Sequence, residues 1–510
     1  MWLVMWLSQL LDRNCQCRGN RTAVIDGEIE LNWNQFERRV RNLAGGLLHC
    51  GVGRGDRVGV LSRDRHEVLV SYFALARIGA VFAPINHGLV KSEAAQIIRD
   101  AGLSMLLGEP ELVHRHNGEL PLVIGFGEPD FRVMIETDYT GPLPDIRIDD
   151  IAAILHTSAT TGKPKGVVVD HRSFKDISLG WLAVAHPGDD AVLVNCCPLF
   201  HGSVVVCLAF MAAGATVVLL PGFKPQTALA AAEQHGATHL WLVPQMLRYL
   251  IDTPAAETTK LDGLREILYG AAPMPPELYA AAARRIRCGY RQVYGMTEVG
   301  GPFVTLAPAE HPQPEMAQEN GIPAGRAIPG MSVRIADDSG ADVPLGTVGE
   351  VLVRGEGLMR GYWHNPQATA AVIDKGWART GDLGWIDNDG FIHLVDRIKD
   401  VIIRGGQNVY PAEIERALRT HPAVGDVGVV GVPDHDWGEV PLAFVVPAAE
   451  AEVAEQDLLR HLVTTLASYK RPQRVVFTDR IPRNPAGKIL KNDLRARVRT
   501  LDERAEIAAV

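Results

Sequence analysis

The densest group of hydroxyl and cationic side chains in the sequence is segment 157–166, Thr-Ser-Ala-Thr-Thr-Gly-Lys-Pro-Lys-Gly. It contains four hydroxyls, two glycines and two lysines, and it directly follows the apolar run 151–155. Hydroxyls, backbone amides and lysine ammonium groups all bind phosphate oxygens. The segment therefore predicts a phosphate-binding loop, with a solvated Ser/Thr/Gly turn as the alternative. The predicted ligands are Thr157, Ser158, Thr160, Thr161, Gly162 and Lys165.

This loop differs from the common nucleotide-triphosphatase loop. Lys163 is followed by Pro164, whereas that loop has Ser or Thr after its lysine.

A second group is segment 294–298, Tyr-Gly-Met-Thr-Glu, at the end of the predicted strand 291–294. In α/β sheets, ligands bind at the carboxyl ends of strands. An aromatic ring can stack on a purine, a hydroxyl can bind phosphate, and a carboxylate can hold a divalent cation between phosphates. The segment is therefore a candidate nucleotide site, although one pentapeptide alone could be a strand-to-helix turn.

Four further segments each contain a candidate residue that also has an ordinary structural interpretation. An aspartate can sit in a β-turn, two glycines can form a tight turn, a lysine can be a solvated charge, and a histidine can end a strand. The candidates are Asp382 in segment 379–383, Gly405 and Gly406 in segment 396–408, Lys488 in segment 482–491, and His201 in segment 198–202.

Taken in order, these segments resemble the acyl-adenylate-forming superfamily, which includes acyl-CoA synthetases, luciferases and peptide-synthetase adenylation domains. The resemblance runs from about Thr22 to Lys491. It looks closest to bacterial fatty-acid and aryl-acid CoA ligases, especially over segment 405–415. The sequence departs from the usual pattern at Ala159, where the family has glycine, and at Gln407, where glutamate is common.

The resemblance implies a role for each candidate. Tyr294 would stack on adenine, Thr297 would bind the α-phosphate, and Glu298 would hold Mg²⁺. Asp382 and Arg397 would bind the ribose, Lys399 would be the hinge, and Lys488 would reach the acyl-phosphate. The remaining residues are Gly270, Ala271, Ala272 and Pro273 against adenine, Gly295 and Met296 beside the nucleotide, Gly405 and Gly406 along the pantetheine of CoA, and His201 near the acyl carboxylate and the thiol channel.

These roles imply an ATP-dependent acyl-CoA synthetase. The carboxylate of the acid would attack ATP to give an acyl-adenylate, and the thiol of CoA would then displace AMP. Segment 197–206 lacks the acidic residue that amino-acid-activating relatives use, which favours an acid without an α-amino group. The predicted acyl pocket consists of His201, Trp241, Val243, Gly300 and Gly301, and it leaves fatty, alicyclic and aromatic acids open.

Two other functions are alternatives to this one. The first is an enzyme that makes only the adenylate and passes the acyl group to a carrier protein, which the Ala159 and Gln407 departures keep open. The second is a nucleotide-binding pseudoenzyme, which is disfavoured because Thr297, Glu298 and Lys488 are all present together with Asp382 and Arg397.

The composition excludes several classes of partner and location. The chain has 510 residues and a net charge of -9, and without a block of Lys and Arg it offers no nucleic-acid surface. Its seven cysteines lack metal-ligand spacing, which fits the cytoplasm. The apolar start 1–11 predicts an amphipathic helix on the body, and no run reaches the roughly 18 residues of a transmembrane segment.

The predicted elements indicate an α/β fold. Strands at 57–61 and 81–85 flank a helix at 67–78, and a second series follows with strands at 192–196, 215–220, 238–243, 265–269 and 291–294. The predicted architecture is a large N-terminal domain of stacked α/β sheets at 1–395, with a small β-barrel subdomain at about 330–395. A hinge at 396–399 and a small, mobile α+β C-terminal domain at 400–510 complete it.

Overall fold

The computed structural model describes residues 6–157, 164–200, 202–312, 322–449, 451–484 and 487–498. Five predicted site residues lie outside these ranges, and they are Ser158, Thr160, Thr161, Gly162 and His201.

The first layer of the large domain is a nine-stranded sheet whose central strands are parallel. These strands are apolar and buried on both faces, as parallel strands covered by helices must be. In spatial order the strands are Arg326–Ala327, Gly301–Leu306, Gly289–Met296, Glu266–Gly270, His239–Leu242, Val192–Asn195, Thr216–Leu219, Thr22–Asp26 and Ile29–Asn32.

The second layer is a seven-stranded sheet with the same parallel centre. Its strand Lys165–Asp170 pairs antiparallel with Ile151–Thr157, so the residues on either side of the predicted phosphate loop are fixed to each other. In spatial order the strands are Gly361–Tyr362, Lys165–Asp170, Ile151–Thr157, Val81–Ile85, Arg57–Leu61, Met105–Gly108 and Val123–Gly125.

One large apolar core lies between the two sheets and includes buried side chains from six helices. Helix His66–Ile78 is buried at every position, and Phe174, Ile177 and Val205 of the neighbouring helices pack in the same core. The helices of this domain are Trp6–Arg18, Trp33–His49, His66–Ile78, Lys91–Ala101, Pro110–Val113, Pro129–Glu136, His171–Ala185, Ser203–Ala213, Pro225–Gln234, Pro244–Asp252, Ala255–Thr258, Pro276–Arg285 and Pro366–Val372.

A smaller antiparallel sheet follows, in the region predicted to be β-rich. Its strands are Met331–Ala336, Gly349–Gly355, Trp377–Ile386, Ile373–Asp374 and Ile392–Arg397. The two-residue strand Gly361–Tyr362 lies in this part of the sequence but pairs with Val167 and Val168 of the seven-stranded sheet. That crossing brings Tyr362 next to the strand that follows the predicted phosphate loop.

The C-terminal part has its own sheet and its own apolar core. Its strands are Gln407–Val409, Ile402–Arg404, Gly438–Pro447, Val424–Asp434 and Arg474–Phe477. Helices Pro411–Arg419 and Glu455–Val463 bury Leu418, Leu458 and Leu462 against it, and a further helix spans 491–498. This arrangement confirms the predicted α/β fold with an α+β C-terminal part.

Residues 6–11 of the apolar start belong to helix Trp6–Arg18, whose Leu10 and Leu11 are buried on the body of the protein. This is the position expected for an amphipathic helix. Among the described helices, none combines the length and apolar character that crossing a bilayer requires.

Candidate functional site

The register of the small antiparallel sheet brings two predicted ribose ligands together. Asp382 and Arg397 are direct cross-strand partners in strands Trp377–Ile386 and Ile392–Arg397. The Nε atom of Arg397 lies 3.1 Å from Oδ1 of Asp382, which is 14% exposed. A largely buried carboxylate beside a fixed guanidinium can accept hydrogen bonds from the two hydroxyls of a ribose.

Tyr294 reaches the same carboxylate from the nine-stranded sheet. Its hydroxyl donates to Oδ2 of Asp382 at 2.7 Å, and its ring packs against Phe303 at a centroid distance of 4.8 Å. Burial and the adjacent carboxylate raise the pKa of the Tyr294 hydroxyl, so it remains a donor. Asp382 therefore ties the two sheets together at the candidate site.

Lys488 enters this site from the C-terminal part. Burial and the neighbouring Arg397 lower the pKa of Lys488 to about 7, and Lys399 acts in the same direction. The segment before it is held by hydrogen bonds from Lys488 N to Oδ1 of Asn484 at 2.9 Å and from Arg483 to the Gly487 carbonyl at 2.8 Å. In its charged form, a buried lysine interacts strongly with the negative charge that develops on a phosphate, because little water screens the interaction.

The segment after Tyr294 forms the turn Thr297–Val299 between two strands of the nine-stranded sheet. Gly300 ends this turn with φ +74°, and a β-carbon there would come within 2.7 Å of the Gly357 carbonyl oxygen. Glycine is required here because both the left-handed backbone and the close approach exclude a side chain. The turn places Thr297 and Glu298, both half-buried, at the end of their strand.

Among the described residues, one side-chain hydrogen bond holds the Glu298 carboxylate. Its Oε1 accepts a hydrogen bond from the Tyr362 hydroxyl at 2.7 Å, while Lys165 Nζ lies 5.0 Å from the centroid of the Tyr362 ring. Tyr362 thus connects the carboxylate to the strand that follows the predicted phosphate loop. Thr157, at the start of that loop, faces Lys165 across the strand pair.

The segment predicted to cover adenine begins at Gly270, the last residue of its strand, and contains a strained backbone position. Ala271 has φ +66°, a conformation that costs a non-glycine residue about 1 kcal/mol or more. Strain of this kind concentrates at binding sites. Ala272 and Pro273 follow, while Gly295 and Met296 pair with Pro302 and Gly301.

The predicted acyl-pocket residues lie around the main apolar core. Trp241 and Val243 are buried in it, and Trp241 Nε1 lacks a hydrogen-bond partner within the described part of the chain. A β-carbon on Gly301 would lie 3.4 Å from Ile177 and 3.5 Å from Val205. Val243 is also close to the Lys488 segment, because a β-carbon on Gly487 would lie 3.4 Å from Val243 Cγ2.

Gly405 and Gly406 form the turn of a hairpin in the C-terminal sheet, with φ values of +57° and +80°. Two consecutive positive φ values are typical of a type I′ turn, which favours glycine. The turn is exposed, and Trp437 of the same sheet packs beside Gly405. Lys399 lies in the connection Ile398–Asp400 between the two parts, and burial lowers its pKa.

Sequence reasoning missed two residues of this region. Tyr362 carried no sequence signal, because its role depends on the strand that crosses between sheets. Asp64 is buried and its Oδ1 accepts from Leu199 N at 2.8 Å, close to the predicted His201 segment. Burial raises the pKa of Asp64 to about 7, and its place just after strand Arg57–Leu61 could have identified it.

Comparison with known proteins gives a consistent result over both parts. The AMP-binding enzyme family model matches residues 11–363, and the model of its C-terminal domain matches residues 413–488. A feruloyl-CoA synthase from Amycolatopsis is 37% identical over 95% of this chain and 97% of its own length. The fatty acid–[acyl-carrier-protein] ligase ScoC from Streptomyces coeruleorubidus is also 37% identical, over 96% of both chains.

A solved structure with the same fold also covers nearly the whole length of both chains. The structure of ATP-bound MatB from Rhodopseudomonas palustris superimposes with a TM-score of 0.89, at 29% identity, over 96% of this chain and 98% of that one. The chain therefore belongs to the AMP-binding enzyme family, and it is an acyl-adenylate-forming acid–thiol ligase.

Proposed function

We propose that this protein is an AMP-forming CoA synthetase for aromatic carboxylic acids. The observation that carries the proposal is the position of Lys488, which comes from the C-terminal part. The charges of Asp382 and Arg397 in the large domain affect its pKa, and a β-carbon on the preceding Gly487 would lie 3.4 Å from Val243 Cγ2 of the large domain. A simple nucleotide-binding protein would have no need of a lysine that comes from a separate C-terminal part.

In the first half-reaction, an oxygen of the substrate carboxylate attacks the α-phosphorus of ATP. The bond from the α-phosphorus to the bridging oxygen breaks, and pyrophosphate leaves. Lys488 stabilises the negative charge that builds on the α-phosphate, and Thr297 donates to the same group. Asp382 and Arg397 hold the ribose, and Tyr294 fixes Asp382, so that the reacting atoms are aligned.

Mg²⁺ fits the site on the chemistry of its donor. Glu298 has one carboxylate oxygen beyond its bond to Tyr362, and Mg²⁺ is commonly held by one or two carboxylates together with substrate phosphates. The ion would neutralise charge on the pyrophosphate that leaves. Lys165, above the Tyr362 ring, and the loop 158–163 would bind the same phosphates.

In the second half-reaction, the thiol of CoA attacks the acyl carbonyl, its proton passes to solvent, and AMP leaves with its new oxygen. Lys399 is the proposed hinge, about which the C-terminal part turns to exchange Lys488 for the Gly405–Gly406 turn. This turn has a small cross-section, so that the pantetheine could pass close to the backbone.

The aromatic class of substrate is supported by the walls of the acyl pocket. Trp241, Ile177 and Val205 are apolar side chains of the main core, and a β-carbon on Gly301 would lie in van der Waals contact with Ile177 and Val205, so these residues would form the apolar walls around an acyl group. The Trp241 N–H, which has no hydrogen-bond partner among the described residues, would donate to an oxygen on a substituted ring. The similar feruloyl-CoA synthase is named for an aromatic acid.

The test is to incubate the protein with ATP, Mg²⁺, CoA and a panel of cinnamic, arylacetic, benzoic and fatty acids, and to identify products by mass spectrometry. We expect acyl-CoA and AMP from at least one aromatic acid, with a kcat/KM above that of every fatty acid. Preference for a fatty acid would contradict the substrate class. Acyl-AMP that is consumed only after a carrier protein is added would contradict the use of CoA.

A further inference from the structure

Asp396 lies at the junction between the two parts of the protein and contacts both of them. It is in strand Ile392–Arg397, which pairs with Trp377–Ile386, so its backbone belongs to the large domain. Its Oδ2 accepts a hydrogen bond at 2.8 Å from the backbone N–H of Ala412, at the start of helix Pro411–Arg419 in the C-terminal part. Lys399, the proposed hinge, separates these two residues in sequence.

A second contact across the junction comes from Lys491. Its Nζ lies 3.9 Å from Oδ1 of Asp396 and 3.8 Å from Oε1 of Glu415. The three side chains are 7%, 12% and 9% exposed for Asp396, Lys491 and Glu415, so this is a buried group of two carboxylates around one cation. Glu415 also accepts from Val429 N at 2.9 Å, which fixes it to the C-terminal sheet.

Lys491 is three residues after Lys488, at the start of the helix 491–498. The contact between Lys491 and Asp396 of the large domain therefore also restricts the position of Lys488. If the C-terminal part turned about Lys399, Ala412 and Lys491 would move with it, while Asp396 would stay. Both contacts would break, leaving a buried carboxylate that must be solvated again.

We propose that Asp396, through Lys491 and Ala412, is a positioning residue that holds the C-terminal part in the orientation that forms the adenylate. This inference rests on the proposed function and on the hinge at Lys399. The positioning role predicts that loss of the Asp396 contacts affects the two half-reactions differently. A contact made in only one orientation of the C-terminal part increases the population of that orientation. Loss of the contact slows adenylate formation and leaves thioester formation equal or faster.

The experiment measures both half-reactions separately in Asp396→Asn and Lys491→Met. The first is the single-turnover release of pyrophosphate with the best acid from the panel, and the second is acyl-CoA formation from the matching synthetic acyl-adenylate. We expect adenylate formation to fall about tenfold or more in both variants, with the thioester rate unchanged or raised. Lys491→Arg keeps the cation and should restore adenylate formation to within about threefold of the wild type.

Glu413→Gln is the matched control. Its ion pair with Lys470, at 2.7 Å, involves the same helix but stays within the C-terminal part, so neither half-reaction should change. Equal losses in both half-reactions of Asp396→Asn, or no loss in either, would overturn the positioning role. A wild-type protein that forms no acyl-adenylate from any acid would instead overturn the proposed function, and this inference with it.

Discussion

The ribose-side residues and Lys488 are positioned in different ways. Asp382 and Arg397 face each other because two paired strands fix their register, and Tyr294 adds a bond from a second sheet. Lys488 lies in a short segment held locally by Asn484 and Arg483. The proposed ribose ligands are thus fixed within the large domain, whereas the position of Lys488, the proposed catalytic cation, depends on how the C-terminal part is docked.

The largest effect is expected for Lys488→Ala. Removing the cation should lower the rate of adenylate formation by about 100-fold to 1000-fold, because a charged donor aimed at the transition state is lost. The rate of thioester formation from supplied acyl-adenylate should stay within about threefold, since the other residues remain. Single-turnover pyrophosphate release and acyl-CoA formation measure the two rates.

The control for that variant is Lys260→Ala, at an exposed position of the large domain. It should leave both rates unchanged. Equal losses of both rates in Lys488→Ala would mean that the lysine supports the whole site and is not specific to the first step.

The next largest effect tests the part of the site that the large domain fixes. Asp382→Asn removes the negative charge that pairs with Arg397 and one acceptor that the ribose needs. We expect the KM for ATP to rise about tenfold to 100-fold, with a smaller loss in kcat. Steady-state kinetics with varied ATP measures both constants.

Asp389→Asn, an exposed residue in the turn after the Asp382 strand, should leave the KM for ATP unchanged. If Asp382→Asn lowered kcat alone, the ribose role would be wrong. The carboxylate would then act in the transition state.

The pH dependence of adenylate formation should distinguish Lys488 from the Asp382–Arg397 pair. Because the pKa of Lys488 is lowered to about 7, its charged form is lost as the pH rises through that value. The kcat/KM for adenylate formation should therefore fall above pH 7, approaching about tenfold per pH unit. In kcat this decrease should begin at a higher pH, because the negative phosphates of bound ATP stabilise the ammonium form.

Lys488→Arg provides the comparison for the pH profile, since a guanidinium stays charged throughout this range. Its kcat/KM, although lower, should lack the decrease that begins near pH 7. A decrease that persists in this variant would assign the titration to another group.

The smallest effect is expected for Tyr362→Phe. This change removes only the hydroxyl that donates to Glu298, while the ring below Lys165 remains. The concentration of Mg²⁺ that gives half-maximal activity should rise about threefold to tenfold, because the carboxylate is oriented less well. An unchanged Mg²⁺ requirement would show that Glu298 needs no support from Tyr362. The control is Tyr290→Phe, on the other side of the nine-stranded sheet, which should leave the Mg²⁺ requirement unchanged.

Local sequence patterns predicted much of this structure. The apolar runs that predicted strands 57–61 and 81–85 form strands with those same bounds, and the helix predicted at 67–78 differs only in beginning one residue earlier, at His66. These elements are buried on both faces or end at proline and glycine, so local composition determines them. The predicted family and the α/β fold are confirmed.

Contacts that depend on tertiary structure were not predictable in the same way. The hydrogen bond from Tyr294 to Asp382 connects two sheets. The hydrogen bond from Tyr362 to Glu298 depends on the two-residue strand Gly361–Tyr362, which pairs with the seven-stranded sheet although the strands before and after it in sequence belong to the small antiparallel sheet. No spacing in the sequence encodes either pairing. The site roles taken from the family resemblance remain predictions, and those of Ser158, Thr160, Thr161, Gly162 and His201 concern residues outside the described ranges.

The most direct test of the central claim follows an oxygen atom. An aromatic acid that the protein accepts is labelled with oxygen-18 in its carboxylate and incubated with ATP, Mg²⁺ and CoA, and the AMP and pyrophosphate are analysed by mass spectrometry. If the carboxylate attacks the α-phosphorus, one labelled oxygen must appear in AMP and none in pyrophosphate. Label in inorganic phosphate together with ADP, or unlabelled AMP, would contradict an acyl-adenylate intermediate.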